Sequence, residues 1–229
     1  MKIFAISDLH LSLGADKPMD IFKGWENYVD RLEKNWRAVV EEDDTVVIPG
    51  DISWEMKIED MAKDFGFIHS LPGKKIILKG NHDLWWNSLK KMNAFLAENG
   101  FDSITILNNN ATRVGDFAVC GTRGWAIDES GTDSKLIKRE ALRLEMTIKE
   151  AEKIGGEPLV FLHYPVVYEK NVCTELIDVL KAHDIKRVFY GHLHGRSSHS
   201  NLCKEYDGIN MQLVSCDYLE FTPYLIRYA

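Results

Sequence analysis

An α/β fold is predicted by the sequence on three observations. Short apolar runs of strand length recur along the 229 residues, and the stretches between them carry the three-to-four apolar spacing of helices. Five of the runs also end in compact blocks of metal-competent groups: Asp8-Leu9-His10, Gly50-Asp51, Gly80-Asn81-His82-Asp83, His163 and Gly191-His192-Leu193-His194. Alternation of strand and helix is the pattern of a mixed α/β architecture. Such folds build their sites from loops beyond the strand ends, along one edge of the sheet.

Lys2–Ser7 reads as the first strand, apolar from Ile3 to Ile6 as expected where both faces are covered. Trp25–Glu42 reads as an amphipathic helix with Trp25, Val29, Leu32, Trp36, Val39 and Val40 on one face. Thr45–Ile48 is a strand ended by Pro49-Gly50, and a helix from Glu55 to Ser70 is closed by Leu71-Pro72-Gly73. Lys75–Lys79 gives the third strand and Trp86–Glu98 the next helix. Ser103–Leu107, Ala111–Val114 and Phe117–Gly121 are short strands, set apart by the turn signals Asn108-Asn109 and Gly115-Asp116.

Lys135–Ile154 is a long amphipathic helix in which Leu136, Leu142, Met146 and Ile148 are expected to be buried. Pro158–Leu162 is a strand, Thr174–His183 a helix, Arg187–Tyr190 a strand, and Ile209–Ser215 and Tyr224–Tyr228 two closing strands. The polar stretch Ala126–Ser134 reads as a mobile loop. With no internal repeat, low-complexity segment or Pro/Ser-rich linker, residues 1–229 are expected to form one domain. Periodicity leaves open whether the strands form one large sheet or two packed sheets.

A net charge of −7 argues against a protein that wraps nucleic acid by bulk electrostatics, while leaving room for a local positive patch. The opening apolar run is interrupted by Asp8 and is too short for a signal peptide. No stretch has the length to span a bilayer, so no membrane partner is expected. Cys120, Cys173, Cys203 and Cys216 are widely spaced and read as reduced thiols. These features together predict a cytoplasmic protein.

Carboxylate, imidazole and amide oxygen are donors that suit divalent metals at phosphate chemistry. Asp8 and His10 stand two apart just after a strand, and in extended backbone such positions point to the same side. His192 and His194 share that spacing, with Gly191 and Gly195 permitting a tight turn. Each block alone would be an ordinary turn, helix cap or hydrogen-bonded histidine; their joint order points to a site. His69, His183 and His199 fall outside the blocks and read as surface or helix-end residues.

The order D-x-H, G-D, G-N-H-D, H and G-H-x-H, running from Asp8 to His194, resembles the calcineurin-like metallophosphoesterase superfamily. The flanks Gly50–Trp54, Lys79–Trp86 and Gly121–Trp125 are similar to a compact bacterial branch of predicted phosphohydrolases. The resemblance implies a two-sheet β-sandwich flanked by α-helices, in four αββα layers, with the site at the strand C-terminal ends. It implies two divalent metal ions bridged by Asp51, one also held by Asp8, His10 and His194, the other by Asn81, His163 and His192. Manganese is the first expectation for both, with iron, zinc, cobalt or nickel as alternatives.

The implied reaction is hydrolysis of a small phosphomonoester or phosphodiester by a hydroxide shared between the ions. His82 would stabilise developing charge or protonate the leaving alkoxide, and Asp83 would orient its imidazole. The arginines with which the protein phosphatases of this superfamily grip phosphate have no counterpart in Ile52-Ser53-Trp54-Glu55 or at Lys79. Arg123, in a Gly-Thr-Arg-Gly turn, is the candidate substitute, with Arg196 a weaker one. Trp54, Trp85, Trp86 and Trp125 flank the site-forming loops, either capping the core or walling an aromatic leaving group. A nuclease and a catalytically silent interaction scaffold are the competing readings. The net charge and the lack of a basic arm weigh against the first, the intact ligand set against the second.

Overall fold

The computed structural model describes residues 1–124 and 134–228. In chain order the elements are β1 (Lys2–Ala5), α1 (Tyr28–Val39), β2 (Thr45–Ile48), α2 (Ala62–Ser70), β3 (Lys74–Ile77), α3 (Leu89–Glu98), β4 (Ile104–Ile106), β5 (Ala111–Val114), β6 (Phe117–Thr122) and α4 (Ser134–Ile154). They continue with β7 (Glu157–Leu162), β8 (Val167–Tyr168), β9 (Asn171–Val172), α5 (Thr174–Ala182), β10 (Arg187–Tyr190), α6 (Gly195–His199), β11 (Glu205–Tyr206), β12 (Ile209–Leu213) and β13 (Tyr224–Tyr228). One sheet has the order β13-β1-β2-β3-β4 and the other β11-β12-β10-β7-β6-β5. The inner strands of both are parallel; β13, β5 and β11 pair antiparallel at or beside the edges. A small hairpin of β8 and β9 stands apart.

Strand alternation sorts the apolar side chains into three layers. Ile3, Ala5, Val47 and Ile76 from one sheet meet Val119, Leu159, Phe161 and Phe189 from the other in the space between the sheets. The intervening Phe4, Ile6, Val46, Ile48 and Ile77 face outward onto Leu32 and Trp36 of α1, Phe65 and Ile68 of α2, and Met92 and Leu96 of α3. Val160, Leu162, Val188 and Tyr190 face outward onto Leu144 and Ile148 of α4 and Leu176, Ile177 and Leu180 of α5. Two large sheets flanked by helices result, which resolves the choice that periodicity left open. All four cysteines are free thiols. Among the described residues, no helix is long and apolar enough to cross a membrane.

Several boundaries differ from the sequence reading for local reasons. α1 begins at Tyr28, because Gly24 and Asn27 adopt positive φ and hold Trp25 in a turn. α2 begins at Ala62, after a 3-10 turn at Ile58–Asp60, since Lys57 is extended and the Glu55 N–H is taken by Ser53 Oγ. Ser88 caps α3 by accepting the Lys91 N–H, so Trp86 and Asn87 stay outside that helix. α4 corrects the expected buried stripe: Leu142 and Met146 are 60% and 54% exposed, whereas Leu144, Ile148 and Ala151 are buried. Two polar anchors set this phase. Thr147 Oγ1 donates to the Asn110 carbonyl and accepts the Gly121 N–H, and buried Glu140 accepts from Thr122 Oγ1. The inward stripe is Ile137, Ala141, Leu144, Ile148 and Ala151, at the same three-to-four spacing, so Ile148 is buried as expected while Leu142 and Met146 lie on the outer side. Trp125 and nearly all of the expected mobile loop lie outside the described residues.

Candidate metal centre

Every candidate ligand follows the C-terminal end of a parallel strand. Asp8 and His10 follow β1, Asp51 follows β2 and Asn81 follows β3; His163 follows β7, and His192 and His194 follow β10. The two sheets thus contribute opposite halves of one site. The geometry at Asp8 and His10 differs from the extended pair expected, since both have left-handed φ, 60° and 46°. Asp51 and His192 are left-handed too, with φ of 50° and 72°. Such backbone is uncommon away from glycine and gathers at functional sites. Glycine at position 50 is required: its φ is 102°, and a Cβ there would lie 2.6 Å from Gly80 Cα.

The side chains converge as two groups, Asp8 with His10 and His194, and Asp51 with His163 and His192, each with ligand atoms within 4.8 Å of one another. Asn81 joins the second group, its Oδ1 lying 2.7 Å from His163 Nε2 and 3.0 Å from His192 Nδ1. Asp51 Oδ2 lies between the groups, 3.4 Å from His163 Nε2 and 3.7 Å from His10 Nε2.

The hydrogen-bond roles show that this donor set fits cations. His163 Nδ1 faces the Pro49 carbonyl at 3.1 Å and must donate to it, so in the neutral ring Nε2 carries a lone pair. That lone pair points at the oxygens of Asn81 and Asp51, which are acceptors as well. His194 Nδ1 likewise donates to Asp217 Oδ1 at 3.0 Å, while its Nε2 faces His10 Nε2 at 3.2 Å and Asp8 Oδ1 at 3.3 Å. Acceptors facing acceptors in a buried site call for a positive charge between them, supplied by a metal ion or, on His163 and His194, by a proton that the neighbouring carboxylates favour. His10 Nδ1, buried with no hydrogen-bond partner among the described residues, adds to the unsatisfied donor set.

Titration behaviour follows the same field. Burial opposes charge on Asp8, but His194 and its neighbours outweigh burial and hold the carboxyl far below its usual range. Burial and His163 act in the same opposed way on Asp51, again with a net lowering. Burial pushes His10 and His192 down to about 4, leaving both rings neutral with lone pairs available at neutral pH. His194 is raised to about 10, because Asp8 and Asp217 overcome its burial.

A second ring of residues fixes these ligands, and much of it gave no signal in the sequence. Asp8 Oδ2 accepts from Ser215 Oγ at 3.0 Å and from the His192 N–H at 3.0 Å, and Ser7 Oγ donates to the Gly50 carbonyl. Asp217 Oδ2 also accepts the Gly195 N–H at 2.9 Å, and His199 Nε2 lies 3.7 Å from that same oxygen, so His199 stands near the site. Ser215 and Asp217 follow β12, a strand with no metal-competent block of the familiar kind. Only its position beside β10 in the sheet brings them here.

Asp83 corrects an expectation. Its carboxylate is fully buried and accepts the N–H groups of Asp51 at 2.9 Å, Ile52 at 2.8 Å and Gly80 at 2.7 Å, together with Trp85 Nε1 at 3.1 Å. None of its partners among the described residues is the His82 imidazole. Burial and the neighbouring Asp51 charge push this carboxyl up to about 6.

His82 is half-buried, with its N–H donated to Asp51 Oδ1 at 2.8 Å. Its ring centroid lies 4.5 Å from that of Trp54, which stacks on His10 at 4.9 Å, and His10 itself is 5.6 Å from His82. Trp85 is core, packed on Phe65, whereas Trp86 is half-buried and reaches a cavity beside the site. Arg123 lines that cavity too, and its carbonyl accepts the N–H groups of His163 and Tyr164 at 3.0 Å and 2.9 Å. Arg196 is exposed on α6.

The two sheets present two candidate metal-binding groups at their shared edge. The family is specific: the model of the calcineurin-like phosphoesterases matches residues 1–196, and the chain belongs to that family. It is a hydrolase of phosphoric esters. No curated relative matches the sequence. Among solved structures, the protein of unknown function AQ665 from Aquifex aeolicus is 17% identical with a TM-score of 0.53, over 98% of this chain and 95% of that one. Phosphopantetheinyl hydrolase (PptH) from Mycobacterium tuberculosis is 13% identical with a TM-score of 0.53, over 100% and 98%. TT1561 of Thermus thermophilus is 15% identical with a TM-score of 0.51, over 84% and 81%. At these identities the likeness is one of fold.

Proposed function

We propose that the protein is a binuclear metal-dependent phosphoesterase acting on small phosphomonoesters or phosphodiesters. The observation that carries this reading is the position of Asp51 Oδ2, 3.4 Å and 3.7 Å from histidine nitrogens of the two donor groups. One carboxylate oxygen there serves both positions. Asp8, His10, His194 and Asp51 would hold one ion, and Asp51, Asn81, His163 and His192 the other, with manganese the first expectation. Bound divalent ions supply Lewis acidity toward phosphoryl oxygens and lower the pKa of water.

The chain's own residues do the rest. His82 stands beside the ligands without a place among them. In this reading its ring N–H donates to the oxygen that departs from phosphorus. Trp54, packed against both His82 and His10, excludes water on that side and restricts the ring. Asp83 holds the loops bearing Asp51 and Asn81 at their fixed separation. Residues 1–229 act as one domain, since each sheet supplies part of the site, and cytoplasmic residence belongs to the same reading.

The test is kcat/KM for a matched aryl phosphodiester and phosphomonoester on manganese-loaded protein, with His82→Ala as control. Turnover of either that collapses in the control supports the assignment. Full activity in His82→Ala overturns the role given to that imidazole, and no turnover of either substrate by metal-loaded wild type overturns the substrate class.

A further inference from the structure

A cavity of about 110 Å³ opens on the same edge of the sheets as the donor groups, lined by Leu78, Lys79, Trp86, Asn108, Arg123 and Arg143 among others. Small-molecule pockets usually enclose about 300–1,000 Å³, so this one suits a single substituent of a ligand. Its walls begin where the site ends. Lys79 is two residues from Asn81, a span of at most about 7 Å of chain. The Arg123 carbonyl is hydrogen-bonded to the His163 N–H at 3.0 Å. The cavity therefore adjoins the Asn81–His163 side of the site.

Its charge is unusual for a chain carrying a net −7. Lys79, Arg123 and Arg143 all line it, and among the described residues the carboxylate of buried Glu140 takes Arg143 Nη1 at 2.5 Å and Thr122 Oγ1 at 3.0 Å. Lys79 makes no ion pair among the described residues. Three cationic side chains lining one small cavity, with Asn108 beside them, form a receptor for an anion.

We propose that this cavity is a subsite for a second phosphoryl group on the substrate, so that the preferred substrates are small molecules bearing two phosphates, one hydrolysed and one held by Lys79, Arg123 and Arg143. The proposal rests on the phosphoesterase reading and narrows it. It reassigns Arg123 from the scissile phosphate to its companion. Trp86, on the cavity wall, offers a face to the carbon skeleton joining the two phosphates.

Manganese-loaded protein would be titrated calorimetrically with the bisphosphates of ethanediol, propanediol and butanediol, and with butyl phosphate. The series covers the unknown spacing between the two positions. The proposal expects at least one bisphosphate to bind more than about tenfold tighter than butyl phosphate. Lys79→Met should close that gap and Lys79→Arg should preserve it. Arg143→Lys, which keeps the charge beside Glu140, should narrow it while leaving thermal unfolding close to wild type. Equal affinities across the series, or a gap that survives in Lys79→Met, would overturn the subsite. Aryl phosphate turnover, measured separately, reports on the phosphoesterase reading, so either can fail without obscuring the other.

Discussion

Asp83 holds Asp51 by its main chain, with the Asp83 carboxylate accepting the Asp51 N–H at 2.9 Å. The same carboxylate takes the N–H of Gly80 at 2.7 Å, so one buried anion ties the loop after β2 to the loop after β3. Asp83→Asn should therefore act on metal binding before chemistry. Manganese affinity is expected to fall about 10- to 100-fold, and Asp83→Ala should lower stability by about 3 kcal/mol through orphaned N–H groups. Metal titration and thermal unfolding check both. A loss of kcat at unchanged metal affinity would return Asp83 to a role at the His82 imidazole.

His82→Ala and Asp51→Asn should separate chemistry from metal retention. His82→Ala is expected to keep both ions and lose about 100- to 10,000-fold in turnover. Asp51→Asn should lose ions from both groups together. Elemental analysis of the purified variants reads the difference directly.

Asp217 predicts an asymmetric defect. Its bond to His194 Nδ1 fixes the ring that completes the group with Asp8 and His10. In Asp217→Ala, one of two binding steps should weaken by about 10- to 100-fold, with the step at Asp51, His163 and His192 retained. Calorimetric titration with manganese resolves the two steps; equal weakening of both would refute the assignment.

Lys75 predicts a pH-dependent stability away from the site. Its buried ammonium donates to the carbonyls of Leu71 at 2.6 Å and Gly73 at 2.7 Å, closing the C-terminal end of α2. Burial lowers its pKa from 10.5 to about 8. Between those values the unfolded chain binds more protons than the folded one, so the contribution of Lys75 to stability rises with pH across that window. Lys75→Met should be less stable than wild type by about 2 kcal/mol near neutrality. The deficit should widen from pH 8 to 10.5, as followed by thermal unfolding at matched pH.

The strand cores and the ligand blocks were legible because their signals are local. A buried parallel strand is an apolar run, and Gly-Asn-His-Asp or Gly-His-Leu-His stands out beside it. Ser215 and Asp217 were not, because a serine and an aspartate in a turn acquire meaning only when β12 is placed next to β10. On α4 two apolar stripes compete: Ile137, Ala141, Leu144, Ile148 and Ala151 face inward, and the hydrogen bonds of Thr147 and Glu140 accompany that choice over the side bearing Leu142 and Met146. Asp83 was found as a residue and misread in its partners, since motif spacing carries no information about which way a buried carboxylate turns.

The division of the donor groups between the sheets has a consequence for how the molecule comes apart. Asp8, His10, Asp51 and Asn81 follow strands of one sheet and His163, His192 and His194 strands of the other, so with both groups loaded, separating the sheets would mean surrendering both ions at once. Metal loading would then act as a rivet across the sandwich. Chelation would shorten the lifetime of the fold by a larger factor than the fall in melting temperature alone would suggest, and the first segments to open to a protease would be those along the seam.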